Sequence, residues 1–256
     1  MTFSSEPTAL LSHLPRADGS ATFSQNGYTV IGAVNGPIEV QRRDELPEEA
    51  VVDVVIRPAA GVGGTRERHL ESILQSTLRQ VILIHNFPRT LIQLTLQITS
   101  IPKIDNVTSK LVQADLNLPI LPALLQTAIL TLLSASMPLA TTFTSVILAL
   151  NSSEKSATIV PNPSVQDIQS ASSIHVLAFT AQGALLLAES EGSFSIDDWN
   201  EVYEQGKKLC CGTNGQATGV DEMQEVGEEE EANESMMAFV KTALLVKVDE
   251  DLHWKD

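Results

Sequence analysis

Residues 16–41, RADGSATFSQNGYTVIGAVNGPIEVQ, constrain the fold most tightly. Asn26-Gly27 stands between the apolar alternations Ala21, Phe23 and Tyr28, Val30, Gly32. A two-residue type I′ turn requires positive φ at both central positions, and Asn-Gly supplies it with little strain. The stretch therefore predicts two tightly joined strands that run into a turn at Gly36-Pro37 and then a third strand. Sterics alone allow such a hairpin in any β-rich domain.

The rest of the chain alternates strand and helix signals. Val51–Ile56 is a run of β-branched residues of the kind found in a strand covered on both faces. A glycine-rich loop, residues 59–65, leads into a helix whose apolar positions Leu70, Ile73, Leu74, Leu78, Val81 and Ile82 recur at helical spacing and which must end before Pro88. Arg89–Thr99 alternates, with Ile92, Leu94, Leu96 and Ile98 on one face. Strand, helix and strand in this order predict a right-handed crossover onto one sheet. Leu121–Ser136 reads as a helix with little polar surface, expected between two layers. Four strands are expected at about 142–150, 157–160, 173–180 and 184–189. Ser195-Ile-Asp-Asp198 has the form of a capping box opening a helix with Ile196, Trp199, Val202, Tyr203, Leu209 and Cys210 on one side. A last helix is expected over 235–248, burying Met236, Phe239, Val240, Ala243 and Leu244.

Charge excludes one class of function. The formal net charge is -16, whereas affinity for phosphate backbones comes largely from Lys and Arg, so a stand-alone nucleic-acid binder is not expected. Half of the excess is local: residues 221–234 hold eight acids and no base, which leaves -8 for the remainder. Residues 212–234 lack any apolar period and read as a disordered acidic excursion. Cys210 and Cys211 are adjacent on a predicted helix, where side chains about 100° apart do not easily meet in a disulfide, and a reducing compartment fits. The first residues carry no secretory signal pattern, and Asn106, Asn151 and Asn233 are read as chance matches to the glycosylation triplet. The apolar run 116–133 is broken by Pro119, Pro122 and Gln126, so it reads as a buried helix rather than a membrane span.

The words ADGSA at 17–21, NGPIE at 35–39, TRER at 65–68, NFPRT at 86–90 and SASMPL at 134–139 stand in a family order. Across residues 14–211 the chain resembles the RNase PH family, and within it the non-catalytic ring subunits of the eukaryotic RNA exosome. The resemblance implies an α+β RNase PH-like fold, a ribosomal protein S5 domain 2-like βαβ sandwich with helices packed between and against mixed sheets. Its extent would be a single domain over 1–211 and 235–256, with 212–234 inserted. It also implies paralogous RNase PH-like neighbours in a hexameric ring, S1/KH-type cap subunits, RNA threaded through a channel, and residence in nucleus, nucleolus and cytoplasm, with no membrane and no cofactor.

Active members of that family need a phosphate cradle and carboxylates that usually serve a metal. At the junction matching the cradle this chain reads Asp115-Leu-Asn-Leu-Pro-Ile-Leu-Pro122, where proline has no N–H to donate and the aliphatic side chains carry no charge. At the positions matching the acidic pair stand Ala171 and Ser173, and Asp167 is the sole acid between Lys155 and Glu189. No catalytic and no metal-binding residue is therefore expected, and the chain reads as a catalytically inactive ring subunit. The rival reading is an active phosphorolytic 3′–5′ exoribonuclease that completes its site with a partner; a third is an unrelated α+β binding protein. His85 is expected to cap a helix C-terminus and His175 to be a satisfied core or interface histidine. Gly61-Val-Gly-Gly64 lacks the Lys-Ser/Thr of a P-loop. Arg66 and Arg68 are either a solvated helix start or RNA-binding residues that project into the pore and touch phosphates.

Overall fold

A computed structural model describes residues 6–102, 118–153, 156–212 and 235–253. The chain divides into two compact units, residues 1–142 and 143–256. The architecture is α+β, with a mixed sheet in the first unit and an antiparallel one in the second.

In the first unit, β1 (Thr8–Leu11), β2 (Gly19–Gln25), β3 (Tyr28–Glu39), β4 (Val51–Arg57) and β5 (Thr90–Ser100) form one sheet in the order β1-β2-β3-β5-β4. The hairpin turns at Asn26 (φ 52) and Gly27 (φ 81), with Gln25 paired to Tyr28. Gly36-Pro37 does not turn the chain. β3 runs on to Glu39 through a cis Gly36-Pro37 bond, and its register against β5 slips between Asn35 and Ile38. The strand accommodates proline, which cannot donate to a ladder, by bulging rather than ending. Gly36 sits at φ 145, and a Cβ there would lie 2.8 Å from the Leu91 carbonyl oxygen.

Helix α1 (Thr65–Val81) links β4 to β5, which are parallel with Val54 opposite Leu94. It buries Leu70, Leu74, Leu78 and Val81 and gives way to a 3-10 turn, Ile84–Asn86. β4 is the outer strand of the sheet, and only Val52, Val54 and Ile56 are buried while Val51, Asp53 and Val55 are half-buried, so the expected cover on both faces is not complete. β5 shows the expected alternation, with Ile92, Leu94, Leu96 and Ile98 buried. Helix α2 (Leu121–Ser134) is buried at every position from Leu121 to Leu132 and packs across β2 and β3. Gly32 permits that close crossing, since a Cβ there would stand 2.8 Å from Thr127 Cγ2.

In the second unit, β6 (Phe143–Ser153), β7 (Ser156–Pro161), β8 (Ser173–Thr180) and β9 (Leu185–Gly192) form an antiparallel sheet in the order β7-β6-β8-β9. A short helix α3 (Val165–Ser170) precedes β8. Helix α4 (Ile196–Cys211) starts at the Ser195 cap, whose hydroxyl accepts the Asp198 N–H at 3.2 Å while the Asp198 carboxylate accepts the Ser195 N–H at 3.0 Å. It packs on Val146, Leu148, Leu150, Leu177 and Phe179 through Val202 and Cys210, flanked by Trp199 and Tyr203. Ile196 is not on this face. It is 71 % exposed, because the first residue of the helix precedes the stripe that reaches the sheet.

Helix α5 (Met236–Leu252) extends four residues past the expected end, buries Met236, Met237 and Val240, and leaves Phe239, Ala243 and Leu244 half-buried. Its apolar residues continue beyond the turn that meets α4 and β6, so Leu245, Val246, Val248 and Leu252 face solvent. The acidic stretch 221–234 and residues 115–117 lie outside the described residues.

Candidate functional site

The sequence words that carried the resemblance lock together in the first unit. A Cβ on Gly19 would meet the Ala135 nitrogen at 2.5 Å and the Thr131 carbonyl at 2.7 Å, and Ser134 Oγ accepts the Ser20 N–H at 3.4 Å. ADGSA is thus shaped to receive the end of α2, where SASMPL begins. The Asp18 carboxylate accepts the Gly36 N–H at 2.8 Å, and Asp18 N–H donates to the Val34 carbonyl, tying ADGSA to NGPIE. SASMPL in turn joins the end of α1, with Leu83 N–H on the Pro138 carbonyl and Ala140 N–H on the Val81 carbonyl. Residues far apart in sequence are therefore constrained by one packing arrangement.

At the start of α1 a cleft of about 620 Å³ runs beside β4 under the loop Gly61–Gly64. Its walls include Asp53, Arg57, Glu67, Arg68 and Glu71. Glu67 Oε2 accepts the Gly64 N–H at 2.6 Å, holding the loop onto the helix start. Glu71 Oε1 accepts the Ile56 N–H at 2.8 Å and Gln75 Nε2 donates to the Val52 carbonyl at 2.7 Å, so two helical side chains satisfy the outer edge of β4. Sequence reasoning passed over both; the signal was the i, i+4 spacing of two polar residues bordering the Leu70/Leu74 stripe.

The two arginines singled out in sequence do not share one site. They are two positions apart on α1, about 200° around the helix. Arg66 is half-buried and its charge reaches Tyr28, whose phenol burial pushes up to about 12 while Arg66 opposes the rise. The Arg68 side chain is 84 % exposed at the cleft, 3.9 Å from Glu71 Oε2. Three acids in the same cleft weaken its attraction for an anion.

The described part of the junction expected to match a phosphate cradle is a 3-10 turn, Leu118–Ile120, leading straight into α2 with proline in its first turn. Pro119, Ile120, Leu121 and Pro122 are buried, and no side chain caps the helix start. No N–H is available from Pro119 or Pro122, and no cationic side chain lies between 118 and 122.

At the positions expected to match the acidic pair, Ala171 ends α3 and Ser173 opens β8. Ser173 Oγ lies 2.9 Å from His175 Nε2, and His175 Nδ1 lies 2.9 Å from Ser190 Oγ. Phe194 stacks edge-on against the imidazole at a centroid distance of 4.7 Å, and Trp199 is 5.7 Å away. Burial lowers the His175 pKa below the usual histidine value, opposed by the Asp198 carboxylate. His175 is thus a satisfied core histidine, as expected. Asp167 is committed to capping α3, its carboxylate accepting from Ser164 N–H at 3.0 Å and Ser164 Oγ at 2.7 Å. A neutral serine engaged by an imidazole and one capping carboxylate do not fit a hard divalent cation, which takes several free oxygen ligands.

His85 does not cap α1. It lies in the 3-10 turn after α1, exposed, with Nδ1 3.5 Å from the Glu48 carbonyl. Both cysteines are free, with Cys210 buried and its thiol pushed up to about 12, chiefly by burial. No helix among the described residues is long and apolar enough to cross a membrane.

The model of the RNase PH family, described as a 3′ exoribonuclease family, domain 1, matches residues 8–155. The chain belongs to the RNase PH family. It is 32 % identical to exosome complex component RRP46 of Saccharomyces cerevisiae over 203 residues, 77 % of this chain and 86 % of that protein. It is 42 % identical to exosome complex component rrp46 of Schizosaccharomyces pombe over 85 residues, 33 % of this chain and 38 % of that protein. The crystal structure of rice (Oryza sativa) Rrp46 superposes with a TM-score of 0.64 at 23 % identity, covering 80 % of this chain and 87 % of that one, and so shares the RNase PH fold.

Proposed function

We propose that this chain is a structural subunit of an RNA exosome ring that contributes interface and channel wall without catalytic turnover of its own. The observation that carries the assembly is the similarity along 86 % of yeast RRP46, a protein named as a component of that complex. Support for the lack of turnover comes from the site residues. An anion cradle needs outward N–H groups or cations, whereas Pro119–Pro122 is buried and apolar; a metal site needs carboxylates, whereas Ser173 is paired with His175.

In this reading the chain sits among paralogous RNase PH-like subunits in a hexameric ring beneath S1/KH-type cap subunits and works in nucleus, nucleolus and cytoplasm. Arg68, exposed at the start of α1, contacts RNA phosphates in the channel without reading sequence, and Arg66 supports that helix start beside Tyr28. Replacing Arg68 by alanine should weaken RNA retention by a reconstituted ring, despite the acids that flank it in the cleft, while the circular dichroism of the subunit stays unchanged; unaltered RNA protection removes the role. The assembly itself is tested by native mass spectrometry of the complex purified from the chain's own cell. A hetero-oligomer containing several RNase PH-like chains is expected, and a monomer defeats the proposal.

The family model's description as a 3′ exoribonuclease favours a second reading, an active phosphorolytic enzyme whose site is completed by a partner subunit. It requires this chain to supply reacting-site groups that the two junctions above do not present among the described residues.

A further inference from the structure

Strand β9 is the outer strand of the second sheet, bonded to β8 on one side with no strand on the other among the described residues. Open strand edges invite pairing, and proteins usually blunt them with lysine or proline. β9 has neither and is blunted instead by Glu189 and Glu191 and by a register shift opposite Ala178/Phe179 at the end carrying Leu185, so the edge is closed to acidic or neutral strands and open to one of opposite charge. At the other end two large apolar side chains stand in solvent, Phe194 at 43 % and Ile196 at 71 % exposure. Phe194 is held from beneath by the buried His175 ring and lies 6.1 Å from Trp199, so it is a fixed platform rather than a loose side chain.

Charge determines what such an edge accepts. From 185 to 206 the chain carries Glu189, Glu191, Asp197, Asp198, Glu201 and Glu204 and no lysine or arginine, while Lys207 lies at the other end of the strand, against the Gly183 turn that precedes β9. A second copy of β9 paired antiparallel about Ser190 would set each Glu189 opposite the other copy's Glu191, and like charges facing across strands are destabilising. Phosphates of a nucleic acid are repelled by the same groups. We propose that the open edge of β9, together with Phe194 and Ile196, docks an extended lysine- or arginine-bearing segment of a partner protein, which adds to the sheet as a fifth strand with an apolar side chain seated on Phe194. Backbone pairing supplies the affinity, and the acidic flank selects the sign of the partner's charge.

The inference goes beyond membership of a ring and does not rest on it, since peptide binding and native complex mass are separate readouts. The test titrates the full chain, by fluorescence anisotropy, with a labelled peptide of sequence Lys-Val-Lys-Val-Lys-Leu-Lys, a proline-interrupted version, a Lys-Gly version and a single-stranded RNA. The Lys-Val peptide should bind, and E189K/E191K should weaken it by about tenfold or more, a difference of roughly 1.4 kcal/mol. Phe194→Ser should weaken it several-fold, with far-ultraviolet circular dichroism confirming that each variant is folded. The proline-interrupted and Lys-Gly peptides should bind much more weakly. Equal binding of the Lys-Gly peptide, binding that survives E189K/E191K, or tight RNA binding at this edge overturns the proposal. So does the absence of any Lys-Val peptide binding to the unmodified chain.

Discussion

Gly32→Ala tests the close crossing of α2 over β3. A Cβ at residue 32 would fall inside van der Waals contact of Thr131 Oγ1 and within 2.8 Å of Thr127 Cγ2 and 3.2 Å of Leu96 Cδ2. Neither threonine can swing away freely. Thr127 Oγ1 donates to the Ala123 carbonyl and Thr131 Oγ1 to the Thr127 carbonyl, both at 2.6 Å, and both side chains are fully buried. The new methyl therefore either breaks one of these bonds, costing about 1 kcal/mol, or lifts the helix from the sheet, an overpacking cost of about 1–3 kcal/mol. A cost of about 1–3 kcal/mol corresponds to a melting temperature lower by roughly 2–12 °C in a protein of this size. The assay is urea unfolding of the purified chain followed by circular dichroism, run as a double-mutant cycle with Thr131→Ala. Removing the Thr131 hydroxyl relieves part of the clash, so the double variant should be about 1–2 kcal/mol more stable than the sum of the single effects predicts. Strict additivity, or a Gly32→Ala cost below about 0.5 kcal/mol, refutes the crossing geometry.

Two further perturbations bear on the second unit. His175 is neutral in its buried pocket with a lowered pKa, so below the ordinary histidine value of 6.5 the unfolded chain takes up a proton that the folded chain refuses, and stability should fall as pH drops through that range. His175→Gln should flatten that part of the profile in pH-dependent urea unfolding, and an unchanged slope argues against the pocket. Ser195→Ala removes the hydroxyl that caps α4 and should cost about 1 kcal/mol in the same assay; a loss of less than a few tenths would mean that the cap contributes little.

What could be read from sequence was local. The Asn26-Gly27 turn, the alternation of Ile92, Leu94, Leu96 and Ile98, and the Ser195/Asp198 box depend on residues a few positions apart, and each is present as expected. What could not be read depended on distant neighbours. Whether Gly36-Pro37 turns or bulges is settled by β5, which pairs on both sides of it, and by Asp18, which accepts the Gly36 N–H. The second half of α5 is exposed although Leu245, Val246, Val248 and Leu252 stand in it, a difference from the first half that no periodicity within the helix records. Arg66 and Arg68 look alike in sequence because both open a helix, yet one turns toward Tyr28 and the other toward Glu71. The make-up of the two candidate junctions was legible because it is a matter of residue types: proline and aliphatic side chains at 118–122, alanine and serine at 171 and 173. The His175 network that occupies the second position required β9 and Phe194 to be brought alongside β8, and so needed the fold.

Product analysis decides whether this chain turns RNA over, once the purified chain, alone and with its ring partners, has been incubated with single-stranded RNA, inorganic phosphate and magnesium. A chain without turnover of its own releases no nucleoside diphosphate when alone, and in the assembled ring gives no product that depends on Asp167, Ser173 or His175. Nucleoside diphosphates released by the isolated chain, or a ring activity abolished by Asp167→Asn or Ser173→Ala in this chain, would contradict the absence of turnover.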